Sequence, residues 1–197
     1  MDKRYIFIDG GSHQGPSIKW FERSAIFDHY PWEIFAFEAN PNMTPCIERS
    51  PYLAIIEKAI WISDGIVDFY LAKETENSTL LRQKRQGGMS KTPISVRSID
   101  FGRWLEDTFD KNDYIVVKFD IEGAEYVVLD QMIADGSINY ITALFVEFHD
   151  TMVKIPKSRN KGLLDKLDEL DIPCWELGRF SQLLKGIIFG NKLREKG

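Results

Sequence analysis

The chain has little cysteine. Cys46 and Cys174 are the only two in 197 residues, and neither belongs to a Cys-x-x-Cys pair. That pattern excludes a disulfide framework, argues against structural zinc and fits a reducing compartment. Long apolar runs are missing as well. No segment approaches the roughly 20 residues of a membrane-spanning helix, so no membrane partner is expected. The opening Met-Asp-Lys-Arg-Tyr contains no apolar stretch of signal-peptide length, which points to the cytoplasm. Positive charge is not in excess either. A net charge of −5 gives no global reason to expect nucleic acid as a partner. Internal repeats and low-complexity tracts are absent.

What remains is an ordinary globular composition, 44% hydrophobic and 28% charged, in a chain long enough for one domain spanning residues 1–197 with a substantial core. Its organising stretch is Tyr5-Ile-Phe-Ile-Asp9-Gly-Gly-Ser-His-Gln-Gly15, followed by Pro16-Ser17. Aromatic and β-branched residues run into an acid, a glycine-rich turn follows, and a helix opens. Such a strand–loop–helix suits a nucleotide-like ligand: Gly11 and Gly15 permit close backbone approach, and the helix start offers free N–H groups.

Farther along, Ile18, Phe21, Ala25 and Ile26 recur at helical spacing up to Pro31, and Trp32–Glu38 reads as a second strand. A short helix over 44–49 precedes a third strand over 54–62. Ser63-Asp64-Gly65 predicts a hairpin turn, with 66–71 as the antiparallel return. The polar stretch 73–92, basic in its second half, reads as a solvated loop or as a lid contacting an anionic substrate. A strand over 93–99 leads to Asp100, a candidate helix cap for a helix carrying Trp104, Leu105 and Phe109. Residues 114–120 form the most continuous apolar strand of the second half, as expected of a buried parallel strand. A helix follows from Glu122 to near Gly136, then a strand over 141–149. Leu163, Leu164, Leu167 and Leu170 share a helix face. Residues 173–177 and 185–189 look like a closing antiparallel pair. Trp20, Trp32, Trp104 and Trp175 read as packing residues. The alternation of strand and helix predicts a three-layer α/β/α sheet.

Acids gather where strands end: Asp9, Glu38 and Asp120, with Glu147 two residues before His149. Open α/β sheets place their sites at such ends, and a carboxylate at Glu38 can accept both hydrogen bonds of a ribose diol. Lys118 shares a face with Asp120, and an ion pair between them is expected. His13 sits inside the glycine loop as a turn residue or a substrate contact.

The segments Ile-Asp-Gly-Gly-Ser-His-Gln-Gly, Phe-Glu-Ala-Asn-Pro, Lys-Phe-Asp-Ile-Glu-Gly-Ala-Glu and Phe-Val-Glu-Phe-His, in this order between Ile6 and His149, resemble the FkbM family of S-adenosylmethionine-dependent methyltransferases. The resemblance implies the Rossmann-like class I methyltransferase fold: a mostly parallel seven-stranded sheet with an antiparallel C-terminal strand. It also implies methyl transfer to oxygen, often a hydroxyl of a sugar or other small molecule, so a small-molecule or glycan acceptor is the expected partner. Carried over by position, Asp9, Gly10, Gly11, Ser12 and Gly15 would line the methionine and ribose part of the cofactor. Glu38, with Ala39, would hold the ribose, and Ala59 and Ile60 would flank the adenine. Asp120 would lie near the methionine amino group or the acceptor. The first strand begins almost at the first residue, whereas many relatives carry helices before it, so acceptor contacts are expected from elsewhere in the chain.

An alcohol acceptor must lose a proton, which calls for a base or a metal. His149 is the candidate base, with Asp120, Glu122 and Glu147 as alternatives. Asp120, Glu122, Glu147 and His149 could instead hold a divalent cation, although no metal is the favoured reading. Two other classes compete: a nicotinamide-dependent oxidoreductase, which would want a stricter Gly-x-Gly-x-x-Gly, and a non-catalytic nucleotide-binding module.

Overall fold

The computed structural model describes residues 3–24, 26–82, 88–150 and 155–180, with Lys157 as backbone alone. In chain order the strands are β1 (Tyr5–Gly10), β2 (Trp32–Phe37), β3 (Leu53–Ile56), β4 (Ala59–Trp61), β5 (Gly65–Phe69), β6 (Ile94–Asp100), β7 (Tyr114–Phe119), β8 (Ala143–Val146) and β9 (Cys174–Glu176). The helices are α1 (Pro16–Glu22), α2 (Phe101–Thr108), α3 (Glu125–Asp135) and α4 (Lys157–Glu169). A six-stranded sheet in the order β3-β2-β1-β7-β8-β9 forms the centre, and every neighbouring pair in it is parallel.

Alternation along the strands divides the core in two. Ile6 and Ile8 of β1 and Ile115, Val117 and Phe119 of β7 face α2 and α3, where Leu105, Leu129 and Met132 close over them. Phe7 and Val116 face the other way and pack with Ile18 and Phe21 of α1. All of these are buried. The next positions on the α1 side are Asp9 and Lys118, which are register partners in the β1–β7 pair. The pattern that fills the core therefore also carries an acid and a base inward at the strand ends.

The structure bears out the Rossmann-like α/β architecture and corrects several local readings. The expected strand over 54–62 breaks at Glu57-Lys58. There the Lys58 N–H donates back to the Ile56 carbonyl at 2.9 Å, a three-residue turn that sends β4 out of the main sheet. β5 does not return on β4. Both pair with β6, which lies between them, parallel to β4 and antiparallel to β5, and Ser98 of β6 is in register with Ala59 and Gly65 alike. The turn's polar groups serve that third strand: Ser98 Oγ donates to the Ser63 carbonyl, and Asp64 accepts from the Asp100 N–H. Local turn chemistry does not reveal an inserted strand 30 residues away.

The first half of the expected closing pair is β9, and it runs parallel to β8. The 13-residue helix α4 separates β8 from β9, long enough for the crossover a parallel connection needs. Its supposed partner, 185–189, lies outside the described residues. The central sheet has six strands among the described residues, not seven. Helix α1 ends at Glu22, and Phe27–His29 is a separate 3-10 turn; the helix over 44–49 shrinks to a 3-10 turn, Thr44–Cys46. On α4, Leu163 and Leu167 are buried while Leu164 and Leu170 are exposed, so only half of that face packs. Trp20, expected in the core, is 60% exposed. Asp100 does cap α2, accepting from the Arg103 N–H at 3.2 Å. Among the described residues, no helix is long and apolar enough to cross a membrane.

Candidate active site

The chain leaves β1 toward β2 on one side and reaches β8 from β7 on the other. The carboxyl ends of β1 and β7 therefore flank the point where strand order reverses, the usual position of a ligand crevice in an open α/β sheet. The glycine loop is folded tightly into it. The Gly11 and Ser12 N–H groups both donate to the Phe37 carbonyl at 3.0 Å, and Ser12 Oγ donates to the Asp9 carbonyl at 2.8 Å. Gly11 has φ 75, and a Cβ there would stand 1.9 Å from the Asp120 carbonyl oxygen, so only glycine lets the two strand ends meet.

Between these loops lies a cleft open to solvent. Gly11, Glu38, Ala39, Ala59, Ile60 and Asp120 line it, and Phe69 and Leu80 extend its apolar wall. Glu38 is buried, and both its oxygens are engaged: Oε2 accepts the His13 N–H at 2.6 Å and Oε1 the Asn40 N–H at 2.7 Å. Each oxygen retains a lone pair for a ligand donor. Burial pushes the Glu38 carboxyl above the ordinary range, against the opposing pull of those two backbone bonds. His13 adopts a left-handed backbone, φ 49, that delivers its N–H to Glu38, while its ring Nε2 lies 2.8 Å from Thr75 Oγ1. A second, wider hollow opens beyond Gly11 and Asp120, lined by Ser12, Ser17, Trp20, Arg23, Lys118 and Phe180.

Other expected ligand contacts lie elsewhere. Asp9 lines neither hollow. It is wholly buried, its Oδ1 is 3.0 Å from Lys118 Nζ, and its Oδ2 has no hydrogen-bond donor among the described residues. Gly10 is covered, since a Cβ there would come within 2.8 Å of the Phe119 ring. Gly15 packs on Ile47 at the start of α1, in a left-handed conformation. The expected Lys118–Asp120 pair is present at 3.6 Å, but the shorter contact is to Asp9. Burial pulls Lys118 down, yet Asp9 and Asp120 outweigh it and hold its pKa above the ordinary lysine value. The buried ammonium also donates to the Gly11 carbonyl at 3.3 Å, tying the ion pair to the glycine loop.

His149, after β8, is buried at the junction of four acids. Its Nδ1 lies 3.1 Å from Glu125 Oε1, and its Nε2 lies 3.4 Å from Glu122, 3.8 Å from Asp120 and 3.9 Å from Glu147. Burial alone would lower its pKa, but Glu122 and Glu125 raise it to about 10. Acids therefore hold the imidazole from both ring nitrogens. Burial raises the carboxyls of both Asp120 and Glu147 above the usual range, toward working pH.

Glu125 opens α3, where its charge is favourable at the helix N-terminus. In the fold its Oε1 accepts the Ile121 N–H at 2.9 Å and its Oε2 the Gly123 N–H at 2.8 Å while it orients His149. The stretch 73–92, which the sequence allows as a solvated loop or a lid, reaches the cleft in part. Its first half lines the cleft with Thr75, Glu76, Ser78 and Leu80, and Thr79 Oγ1 donates to the Glu122 carbonyl at 2.7 Å. Residues 83–87 of its basic half are outside the described residues.

Comparison with curated proteins and with solved structures produced no match. A family model, that of the methyltransferase FkbM domain, matches residues 9–171. That span runs from the end of β1 through α4 and takes in the glycine loop, Glu38, the Asp120–Glu125 loop and His149. The chain therefore belongs to the FkbM methyltransferase family.

Proposed function

We propose that this methyltransferase uses S-adenosylmethionine and transfers the methyl group to a hydroxyl oxygen of a sugar or other small molecule. The observation that carries the cofactor reading is Glu38: a buried carboxylate at the end of β2, held by two backbone N–H groups, facing a cleft with lone pairs to spare. A vicinal diol matches that acceptor pair. Ala59, Ile60 and Phe69 beside it supply an apolar wall suited to a purine. Gly11 leaves the cleft floor bare where a bulky cofactor tail would pass. These residues fit an adenosyl ligand better than a nicotinamide dinucleotide, for which the loop lacks the required glycine spacing.

When bound, S-adenosylmethionine supplies an already activated sulfonium methyl. The chain's own task is then alignment and removal of the acceptor proton. Asp120 lines both hollows and Glu147 is half exposed beside it, each with a raised carboxyl, so these two are the groups suited to receive that proton. The second hollow combines the exposed Trp20 with Arg23 and Lys118, a surface that suits the ring face and oxygen atoms of a sugar.

Calorimetry tests the reading directly. S-adenosylhomocysteine should bind the full chain with one-to-one stoichiometry and NAD should not, and Glu38→Ala should weaken binding at least 10-fold. Binding of NAD in place of the adenosyl ligand would overturn the proposal.

A further inference from the structure

We propose that His149, Glu122 and Asp120 form a site for one divalent first-row transition cation at the wall of the cleft. The argument starts from distances. Two ligand atoms about 2.1 Å from one ion and about 90–110° apart stand roughly 3.0–3.5 Å from each other. Nε2 of His149 is 3.4 Å from Glu122 Oε1 and 3.8 Å from Asp120 Oδ1, and one ligand atom from each of the three residues falls within 4.8 Å of the others. The Asp120 side chain is partly exposed and can turn toward a centre shared with the other two.

A proton on Nε2 can be shared with Glu122, and an ion bound there would take its place. Three carboxylates surround Nε2, counting Glu147 at 3.9 Å.

The ring's other nitrogen is an independent sign. Nδ1 lies 3.1 Å from Glu125 Oε1, and the Glu125 carboxylate is completely buried and fixed by the Ile121 and Gly123 N–H groups. A carboxylate holding the remote N–H of an imidazole is the usual support of a metal-binding histidine. It fixes the tautomer and aims the Nε2 lone pair at the ion. Here that support is built from backbone donors of the same loop that carries Asp120 and Glu122, so ligands and support are positioned together.

The donor set selects the metal. One imidazole nitrogen with two carboxylates suits manganese, cobalt or zinc, whereas all-oxygen sets suit magnesium and calcium. Asp120 lines both hollows, so a cation on it stands where an acceptor hydroxyl arrives and can lower that hydroxyl's pKa, with the half-exposed Glu147 left free to take the proton. This use of the site rests on the methyl-transfer reading. Occupancy of the site does not.

The test uses the full chain, stripped with EDTA and without cofactor. Titration with Mn²⁺, followed by electron paramagnetic resonance, should give one saturable site that Zn²⁺ displaces, and pulsed spectra should show nitrogen coupling from the imidazole. His149→Ala should abolish that coupling. Glu122→Gln should weaken binding at least 10-fold, and Glu125→Gln about 10–100-fold. Thermal melts identify any variant that fails to fold, and the small change at Glu122 keeps the test decisive if the His149 variant does. Absence of stoichiometric binding, absence of nitrogen coupling, or undiminished binding in a folded Glu122→Gln variant overturns the site. Parallel titration with S-adenosylhomocysteine separates the two proposals. Homocysteine-ligand binding without metal binding overturns the cation site alone, while the reverse supports the site and overturns the cofactor reading.

Discussion

Replacing Asp9 by Asn tests how the molecule holds a charged pair beneath its glycine loop. Asp9 and Lys118 are at most 5% exposed, and Lys118 Nζ is the one cation within 4 Å of the Asp9 carboxylate among the described residues. Removing one partner of such a pair costs about 3–5 kcal/mol, because the remaining charge stays buried. Lys118 keeps Asp120 at 3.6 Å and the Gly11 carbonyl at 3.3 Å, which offsets part of that penalty. The expected loss is therefore at the low end, about 3 kcal/mol. For a chain of this length each kcal/mol moves the melting temperature by about 2–4 °C, so the variant should melt about 6–12 °C lower. Urea denaturation followed by tryptophan fluorescence measures the loss independently. The double variant Asp9→Asn with Lys118→Met removes both charges and should recover most of it. If the single variant melts within 2 °C of the parent, or the double variant is no better than the single, the pair does not carry the charge balance argued for it.

Acidification should weaken S-adenosylhomocysteine binding earlier than an ordinary carboxylate would. The raised Glu38 carboxyl means that the folded protein binds this proton more tightly than the unfolded chain does, so the ionised acceptor is lost as pH falls through a value above the usual range. In Glu38→Gln the pH dependence should flatten, and an unchanged profile would refute the assignment. The same shift carries a stability consequence. Glu38 favours the folded state most below its unfolded pKa, and that contribution declines as pH rises through the folded one. Gly11→Ala should cost more than 2 kcal/mol (the order of the strain at a left-handed position plus a backbone collision) and abolish ligand binding, read by melting and calorimetry. Glu147→Gln should lower kcat by about 100-fold with little effect on melting, since the side chain is half exposed. Asp100→Ala should cost about 1 kcal/mol by removing the cap on α2, and leave ligand binding unchanged.

Much of the fold was legible in order and period. The β1 pattern, the acid at its end, the continuous apolar run of β7 and the cap at Asp100 are local features, and each appears where its residues put it. Glu38, Ala39 and Asp120 line one cleft because each follows a strand of the central sheet, a regularity that chain order conveys, while Ala59 and Ile60 reach it from the start of β4 in the second sheet. The readings that failed depend on partners distant in sequence. The turn at Ser63-Asp64-Gly65 looked like a hairpin because nothing local reveals β6 inserting between β4 and β5.

The chemistry divides along the same line. Which residue types reach the cleft was set by the sequence, since spacing along strands decides face and end. Their charge states were set by tertiary contact. Asp9 became the buried partner of Lys118 because the β1–β7 register puts them side by side, and the alternation that fills the core then hides both. His149 is one residue in the sequence, and in the fold it meets Glu125 on one nitrogen and three acids around the other. Proton affinity depends on burial and on charges within a few ångströms, and those neighbours come from segments far apart in the chain.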